Sequence, residues 1–302
     1  MSVPKIIHYF YDDISIWEKN SSPQFRICYA SWKKFCPDYE IKLWHVNMPE
    51  FKEMLKESKF LRECYKRKMY AFMADYVRYY ALYNYGGIYV DTDVQLLNNF
   101  DDYLEKDFFV SIESDIIDGE NTPEPAIMGG KSGCEIFKSA LEIYNSDEIF
   151  KIDFPVANII LLKVLKEKLG FSRIEYAHQD AEEIQRFYDK NAHIIQMSNY
   201  EMYKSQQIFE KNNICIYPSE YFCPAWNVFG EKAFTEKTVS IHWNQSSWWK
   251  QKSFLREIQS NKYTNGLKRF WYKYSEKVAK TMTFWIPNKT VRRKIRERLI
   301  YN

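Results

Sequence analysis

Apolar and polar positions alternate in two distinct periods along this chain, and the period changes mark its elements. Val3-Pro4-Lys5-Ile6-Ile7-His8-Tyr9-Phe10-Tyr11 is a short apolar run with the character of a buried strand. Asp12 to Ser22 is polar and turn-like, and Pro23 after Ser21-Ser22 predicts a helix start. Phe25, Cys28, Trp32 and Phe35 recur at helical spacing until Cys36-Pro37-Asp38 breaks the pattern. Tyr39 to Trp44 then alternates as a second strand. Strand, helix and strand at this length predict a βαβ unit.

Tyr65 to Tyr85 predicts the longest helix, with Met69, Phe72, Met73, Tyr76 and Tyr80 as its apolar stripe. Gly86-Gly87 permits a sharp turn, and Ile88-Tyr89-Val90 follows as a strand. Val94 to Leu97 and Phe108 to Glu113 predict further strands, and Pro123 to Gly133 a Gly/Pro-rich loop. Helical patterns return at Cys134–Tyr144 and Val156–Leu169. His193 to Met197, Ile214 to Tyr217 and Val239 to His242 are the later strand candidates. The expected fold class is α/β.

The chemistry of the chain concentrates after the Gly-Gly turn. Asp91 and Asp93 are spaced i, i+2, so in extended backbone they point the same way. Two carboxylates aimed at one point repel unless a cation sits between them. Oxygen ligands of this kind suit Mg²⁺ or Mn²⁺, which in turn bind a diphosphate. Carboxylates at the C-terminal end of a strand also stand where open α/β sheets bind ligands. A lone Asp-x-Asp is more often a solvated turn, and it is the glycine turn and strand before it that favour the metal. Asp75 and Arg78 sit i, i+3 on the helix; they are either a surface ion pair or a sugar- and phosphate-binding pair. His242 ends a strand and precedes Ser246 and Trp248. It is either a third metal ligand or a structural histidine.

Composition narrows the class. The chain has 302 residues, enough for one large domain and an appendage. Its six cysteines form no Cys-x-x-Cys pair, which argues against a zinc ribbon or a thioredoxin-type site. Neither a signal peptide nor a membrane-spanning run is expected. Net charge is +3, but the segment from Lys262 to Asn302 holds twelve Lys and Arg against Glu276 and Glu297. The rest of the chain is therefore mildly acidic, unlike a nucleic-acid-binding face. Leu267, Phe270, Trp271, Tyr274 and Val278 line one helical face of that segment, with Lys and Arg on the others. A basic amphipathic helix of this kind suits an anionic membrane surface, or packs on the body with its cations solvated.

Arg67 to Arg78, continued through Leu82-Tyr83-Asn84-Tyr85-Gly86-Gly87-Ile88-Tyr89-Val90-Asp91-Thr92-Asp93, resembles bacterial glycosyltransferase family 32. Pro4 to Tyr9, Ser31 to Glu40 and Tyr217 to Pro224 support the resemblance. The catalytic domains of the large clostridial glucosylating toxins are more distant in the same way. The resemblance implies a GT-A type Rossmann-like mixed sheet flanked by helices over residues 1–255, with a basic helical tail at 256–302. It implies a retaining transfer from a nucleotide-sugar, a UDP-sugar, with Mn²⁺ or Mg²⁺. Asp91, Asp93, Asp75 and Arg78 would carry the chemistry. Tyr11, Tyr89, Asp75, Arg78, Asp91, Ser246 and Trp248 would surround the donor, and Asp91, Asp93 and His242 would hold the metal. Glu113 and Asn158 are candidates near the sugar. The acceptor expected is a glycan or lipid-linked glycan of capsule or O-antigen assembly, met at the inner face of the cell membrane. Rival readings are a toxin-like effector that glycosylates a protein and a non-catalytic glycan-binding module.

Overall fold

The structure, a computed structural model, describes residues 2–12, 22–113, 122–152, 155–170, 208–224, 235–243 and Thr281. The chain divides into two compact units, Met1–Ser146 with Val156–Ser246, and Asp147–Pro155 with Ser247–Asn302. The elements that follow belong to the first. Apart from Thr281, the expected basic tail lies outside the described residues, as do Ser246, Trp248 and the strand expected at His193–Met197.

β1 (Ile6–Phe10), α1 (Pro23–Phe35) and β2 (Glu40–Trp44) form the expected βαβ unit, with β1 and β2 parallel. Ser22 starts α1 by accepting a hydrogen bond from the Phe25 amide at 3.1 Å, and Pro23 fills the first turn. Phe25, Cys28 and Trp32 bury the inner face of that helix.

α2 (Pro49–Glu57) and α3 (Lys59–Lys66) come next, followed by α4 (Tyr70–Tyr85). The single helix expected from Tyr65 to Tyr85 is thus two. Lys68 adopts a left-handed conformation, with φ of 55°. The Met69 amide bonds back to the Cys64 carbonyl and the Lys68 amide to that of Tyr65, which closes α3. The expected stripe is also too narrow. Val77, Tyr79, Ala81 and Leu82 are buried as well as Phe72, Met73 and Tyr76, so α4 lies in the core on most of its faces.

β3 (Gly87–Val90), β4 (Val94–Leu96), β5 (Phe108–Ile112), β6 (Pro123–Gly130), β7 (Phe209–Lys211), β8 (Ile214–Tyr217) and β9 (Ser240–His242) complete the strands among the described residues. Between them run α5 (Glu135–Asn145), α6 (Ala157–Leu169) and α7 (Ser219–Phe222). Seven strands make one mixed sheet in the order β2-β1-β3-β6-β5-β8-β7, and β4 pairs with β9 apart from it. The α/β class and the mixed sheet flanked by helices agree with expectation.

The Pro123–Gly133 segment corrects the expected loop. It contributes β6, buried along its length and antiparallel to both β3 and β5. Its glycines are there for space. A Cβ on Gly129 would stand 2.3 Å from the Phe109 ring, and one on Gly130 would stand 2.7 Å from the Asp107 carbonyl. Its prolines take the positions a strand tolerates. Pro123 is the first residue, and Pro125 sits where the β5–β6 register shifts.

The turn between α4 and β3 sets the position of everything after it. Gly86 and Gly87 have φ of 66° and 100°. A Cβ on Gly87 would meet the Ile6 carbonyl at 2.6 Å, so only glycine lets β3 come alongside β1. His8 clamps the turn from β1. Its Nε2 donates to the Gly86 carbonyl at 2.8 Å, and its Nδ1 accepts from the Trp44 indole at 3.0 Å. Both bonds require a neutral ring, and burial pulls the His8 pKa down to about 4. The unfolded chain takes up this proton near the ordinary value of 6.5, so it binds more protons than the fold between those values. Stability therefore falls as pH drops from about 6.5 to about 4, by on the order of 3 kcal/mol from this residue. Urea denaturation at pH 7 and pH 5 measures the loss. It will be smaller in His8→Gln, which can keep both bonds without taking a proton; an equal loss in both proteins would contradict the clamp.

Candidate functional site

Three segments bring the site together at the C-terminal end of β3. The first is the turn that leaves β3. The Asp91 amide bonds to the Ala126 carbonyl at 2.8 Å, and the Val94 amide bonds back to the Asp91 carbonyl at 3.0 Å. The turn so formed carries both Asp91 and Asp93. The second is β9, which pairs antiparallel with β4 so that His242 lies opposite Val94. The Trp243 amide continues the ladder to the Asp93 carbonyl at 3.0 Å. His242 therefore arrives beside Asp93, with Nε2 at 3.3 Å from its carboxylate. The third is α4, which supplies Asp75 and Arg78 from below.

One ligand atom from each of Asp91, Asp93 and His242 lies within 4.8 Å of the other two. Two carboxylates and an imidazole form a donor set that fits Mn²⁺ or another divalent ion with oxygen preference. Burial raises the Asp91 pKa, Arg78 opposes the rise, and Asp93 adds to it. Burial alone would lower the His242 pKa, but Cys223, Asp93 and Glu124 around it outweigh that and raise it well above the usual range. Negative charge thus collects at this point, as it must where a cation is to bind.

Arg78 is the centre of the buried layer. Its side chain is 5% exposed, and its Nη2 reaches Asp75 at 3.0 Å and Asp91 at 3.3 Å. Its Nη1 donates to the Pro125 carbonyl at 2.7 Å, which lies where the β6 ladder is interrupted. The guanidinium carbon stands 4.8 Å from the centre of the Tyr89 ring. Asp75 is fastened on its other oxygen by the Ala157 amide at 3.2 Å, at the start of α6. Burial lifts the Asp75 pKa to about 6 against the pull of Arg78. The Arg78 Nε is buried and has no hydrogen-bond partner.

The other expected residues are distributed around this centre. Tyr89 is buried, its ring beneath Arg78. Tyr11 follows β1 at the same edge of the sheet as Asp91; its amide bonds to the Trp44 carbonyl and its ring lies 5.3 Å from that of Phe25. Glu113 and Asn158 come together, the Asn158 amide nitrogen 3.4 Å from the Glu113 carboxylate. Two neighbours were not expected. Glu124 and Cys223 each offer a ligand atom within 4.8 Å of His242 and of each other. Glu124 falls between two prolines in a segment that suggests a loop. Cys223 lies in the Tyr217–Pro224 stretch that supports the resemblance, but no second cysteine or histidine stands at metal-ligand spacing from it. β6 delivers Glu124, and the bonds of α7 to Val239 and Ser240 deliver Cys223.

Residues 22–110 match the family described as a glycosyltransferase sugar-binding region containing a DXD motif. The match supports a glycosyltransferase family. It spans α1 to β5 and includes Asp75, Arg78, Asp91 and Asp93. The chain is similar to inositol phosphoceramide mannosyltransferase 3 of Schizosaccharomyces pombe, 35% identical over 109 residues, which are 34% of this chain. That match spans 28% of the length of the relative. Among solved structures, one titled PaToxG glycosyltransferase aligns at 13% identity and a TM-score of 0.45, over 67% of this chain and 78% of its own. A glycosyltransferase involved in the glycosylation of the major capsid of PBCV-1 aligns at 10% identity and a TM-score of 0.40, over 83% and 97%. No helix among the described residues is long and apolar enough to cross a membrane.

Removal of Arg78 would leave the buried Asp75 and the partly buried Asp91 without their cation. Arg78→Ala is therefore expected to destabilise the fold by about 3–5 kcal/mol. Arg78→Lys restores the charge but cannot reach Asp75, Asp91 and Pro125 with one ammonium, so its loss should be intermediate. Denaturant titration of both variants measures this. A loss below about 1 kcal/mol in Arg78→Ala would show that the bridge does not hold the site.

Proposed function

We propose that this chain is a metal-dependent, retaining glycosyltransferase of the GT-A type. It moves a sugar from a nucleotide-sugar donor, a UDP-sugar, to a glycan or lipid-linked acceptor. The observation that carries this reading is the meeting of Asp91, Asp93 and His242 at the end of β3, over the buried Asp75–Arg78 pair. The family match over residues 22–110 supports the same reading. The name of the fungal relative includes a lipid acceptor, in keeping with a lipid-linked one here.

Asp91, Asp93 and His242 would hold a divalent ion. When bound, the ion neutralises the diphosphate that leaves the donor sugar. The chain's own residues do the rest. Arg78 holds Asp91 at a fixed angle. Asp75, fastened to the start of α6, keeps Arg78 from turning away. Tyr11 offers a ring for the base of the nucleotide, and Glu113 with Asn158 lies toward the sugar. Among the described residues no carboxylate other than Glu113 lies toward the sugar, and Glu113 is engaged by Asn158 and Thr122. Same-face substitution, with the departing diphosphate assisting the acceptor hydroxyl, then accounts for retention. Rate enhancement rests on orientation and on charge stabilisation in place before the bond breaks.

We place this activity in surface-polysaccharide assembly of the capsule or O-antigen type, in the bacterial cytoplasm at the inner face of the membrane. The basic segment from Lys262 to Asn302 would hold the enzyme to anionic lipid.

Asp93→Asn keeps the size and the backbone bond of Asp93 while removing its charge. It should bind Mn²⁺ more weakly and lose roughly a hundredfold or more in donor-sugar hydrolysis or transfer, with thermal stability unchanged or raised. Full activity in this variant would sink the metal assignment.

A further inference from the structure

On the side of His242 that faces away from Asp93 lies a second group of ligand atoms. Glu124, Cys223 and His242 each place one within 4.8 Å of the other two. Glu124 is 9% exposed and Cys223 3%. The His242 Nδ1 is buried, faces the Glu124 carboxylate at 3.8 Å, and makes no hydrogen bond. A buried ring nitrogen without a partner is costly, and a metal ion is one thing that satisfies it. The supports of the group are rigid. The Glu124 Oε1 accepts from the Ala126 amide at 3.0 Å. Cys223 closes α7, which β9 holds through the Val239 amide on the Tyr221 carbonyl and the Ser240 hydroxyl on the Phe222 carbonyl.

We propose that Glu124, Cys223 and His242 form a second, inner cation site that takes a thiophilic divalent ion such as Zn²⁺, and that its occupation opposes binding of the ion at Asp91 and Asp93. Thiolate, imidazole and carboxylate are the ligands Zn²⁺ favours, whereas the outer pair of carboxylates favours Mn²⁺ or Mg²⁺. Around tetrahedral Zn²⁺ such ligand atoms stand roughly 3.3–3.6 Å apart, as follows from the bond lengths. The 3.8 Å between Nδ1 and Glu124 closes to that by a small side-chain rotation. Binding releases two protons to solvent, one from the Cys223 thiol and one from the His242 imidazolium, so that Cys223 enters as thiolate, His242 as neutral imidazole and Glu124 as carboxylate.

The opposition follows from the imidazole. A neutral ring has one lone pair to give, because the other nitrogen carries the proton. Ligation through Nδ1 toward Glu124 leaves Nε2–H pointing at Asp93, where it donates a hydrogen bond but holds no ion. Ligation through Nε2 empties the inner site in the same way. His242 therefore serves one ion at a time, and a thiophilic metal becomes an inhibitor without touching the donor. The inner site does not depend on the proposed activity; only the consequence for the donor ion rests on it.

Co²⁺ titration of the metal-free, reduced full chain tests the inner site, since a cobalt–thiolate bond gives a charge-transfer band in the near ultraviolet. The band should form in the wild type and in Asp93→Asn, vanish in Cys223→Ser, and persist at lower affinity in Glu124→Gln, which keeps the thiol. Electron paramagnetic resonance of Mn²⁺ tests the opposition. One equivalent of Zn²⁺ should weaken Mn²⁺ binding roughly tenfold or more in the wild type and not in Cys223→Ser. Absence of the band in the wild type, or its survival in Cys223→Ser, would overturn the inner site. A band accompanied by unaltered Mn²⁺ binding would overturn the opposition. A wild type that shows the band but binds no Mn²⁺ would support the inner site and overturn the donor-metal reading.

Discussion

A buried guanidinium bridges two carboxylates beneath the end of β3, and the site depends on that bridge. Arg78 lies between Asp75 on its own helix and Asp91 on the turn that follows β3. Asp75 lies too deep in the fold to remain charged without it, and Asp91, about a quarter exposed, is fixed by it. The arrangement ties the longest helix to the strand that ends at the site. It also fixes one of the two acidic residues by a rigid, planar partner rather than by a flexible one. Asp93, by contrast, is held through its backbone and faces His242. One ligand of the candidate metal is thus set by the helix layer and the others by the β4–β9 pair.

The scaffold that delivers these residues is built from close approaches. Gly87 lets β3 run beside β1, His8 clamps the preceding turn, and Gly129 leaves room for the Phe109 ring. At the β5–β6 shift, the Pro125 carbonyl is turned toward Arg78 and the Glu124 side chain is held to the Ala126 amide. An irregularity in the sheet thereby supplies both an anchor for the buried arginine and a carboxylate beside His242. Bulges next to functional sites commonly re-aim side chains in this manner.

Local patterns made most of the elements legible in the sequence. The βαβ opening, the glycine turn and the pair of acids after a strand all follow from residues close together in the chain. Three features did not. The break at Lys68 uses a left-handed lysine where glycine would have signalled a helix end. β6 looks like a loop because its prolines and glycines answer to a bulge and to neighbouring rings, not to a turn. Glu124 reaches His242 across more than a hundred residues, and Cys223 reaches it through bonds between β9 and α7 that no motif announces. Periodicity reports which face of an element is apolar; it does not report which distant element will cover that face.

The account stands on a divalent ion at Asp91 and Asp93 that joins a nucleotide-sugar to the end of β3. Thermal stability against UDP-, GDP-, CMP- and dTDP-sugars, each with Mn²⁺ or with EDTA, tests this most directly. A donor at a hundred times its Kd adds about 2.7 kcal/mol to the folded state. The account predicts a rise in Tm with UDP-sugars in Mn²⁺ that EDTA removes. No rise with any nucleotide-sugar in Mn²⁺, or a rise that survives EDTA, would contradict it.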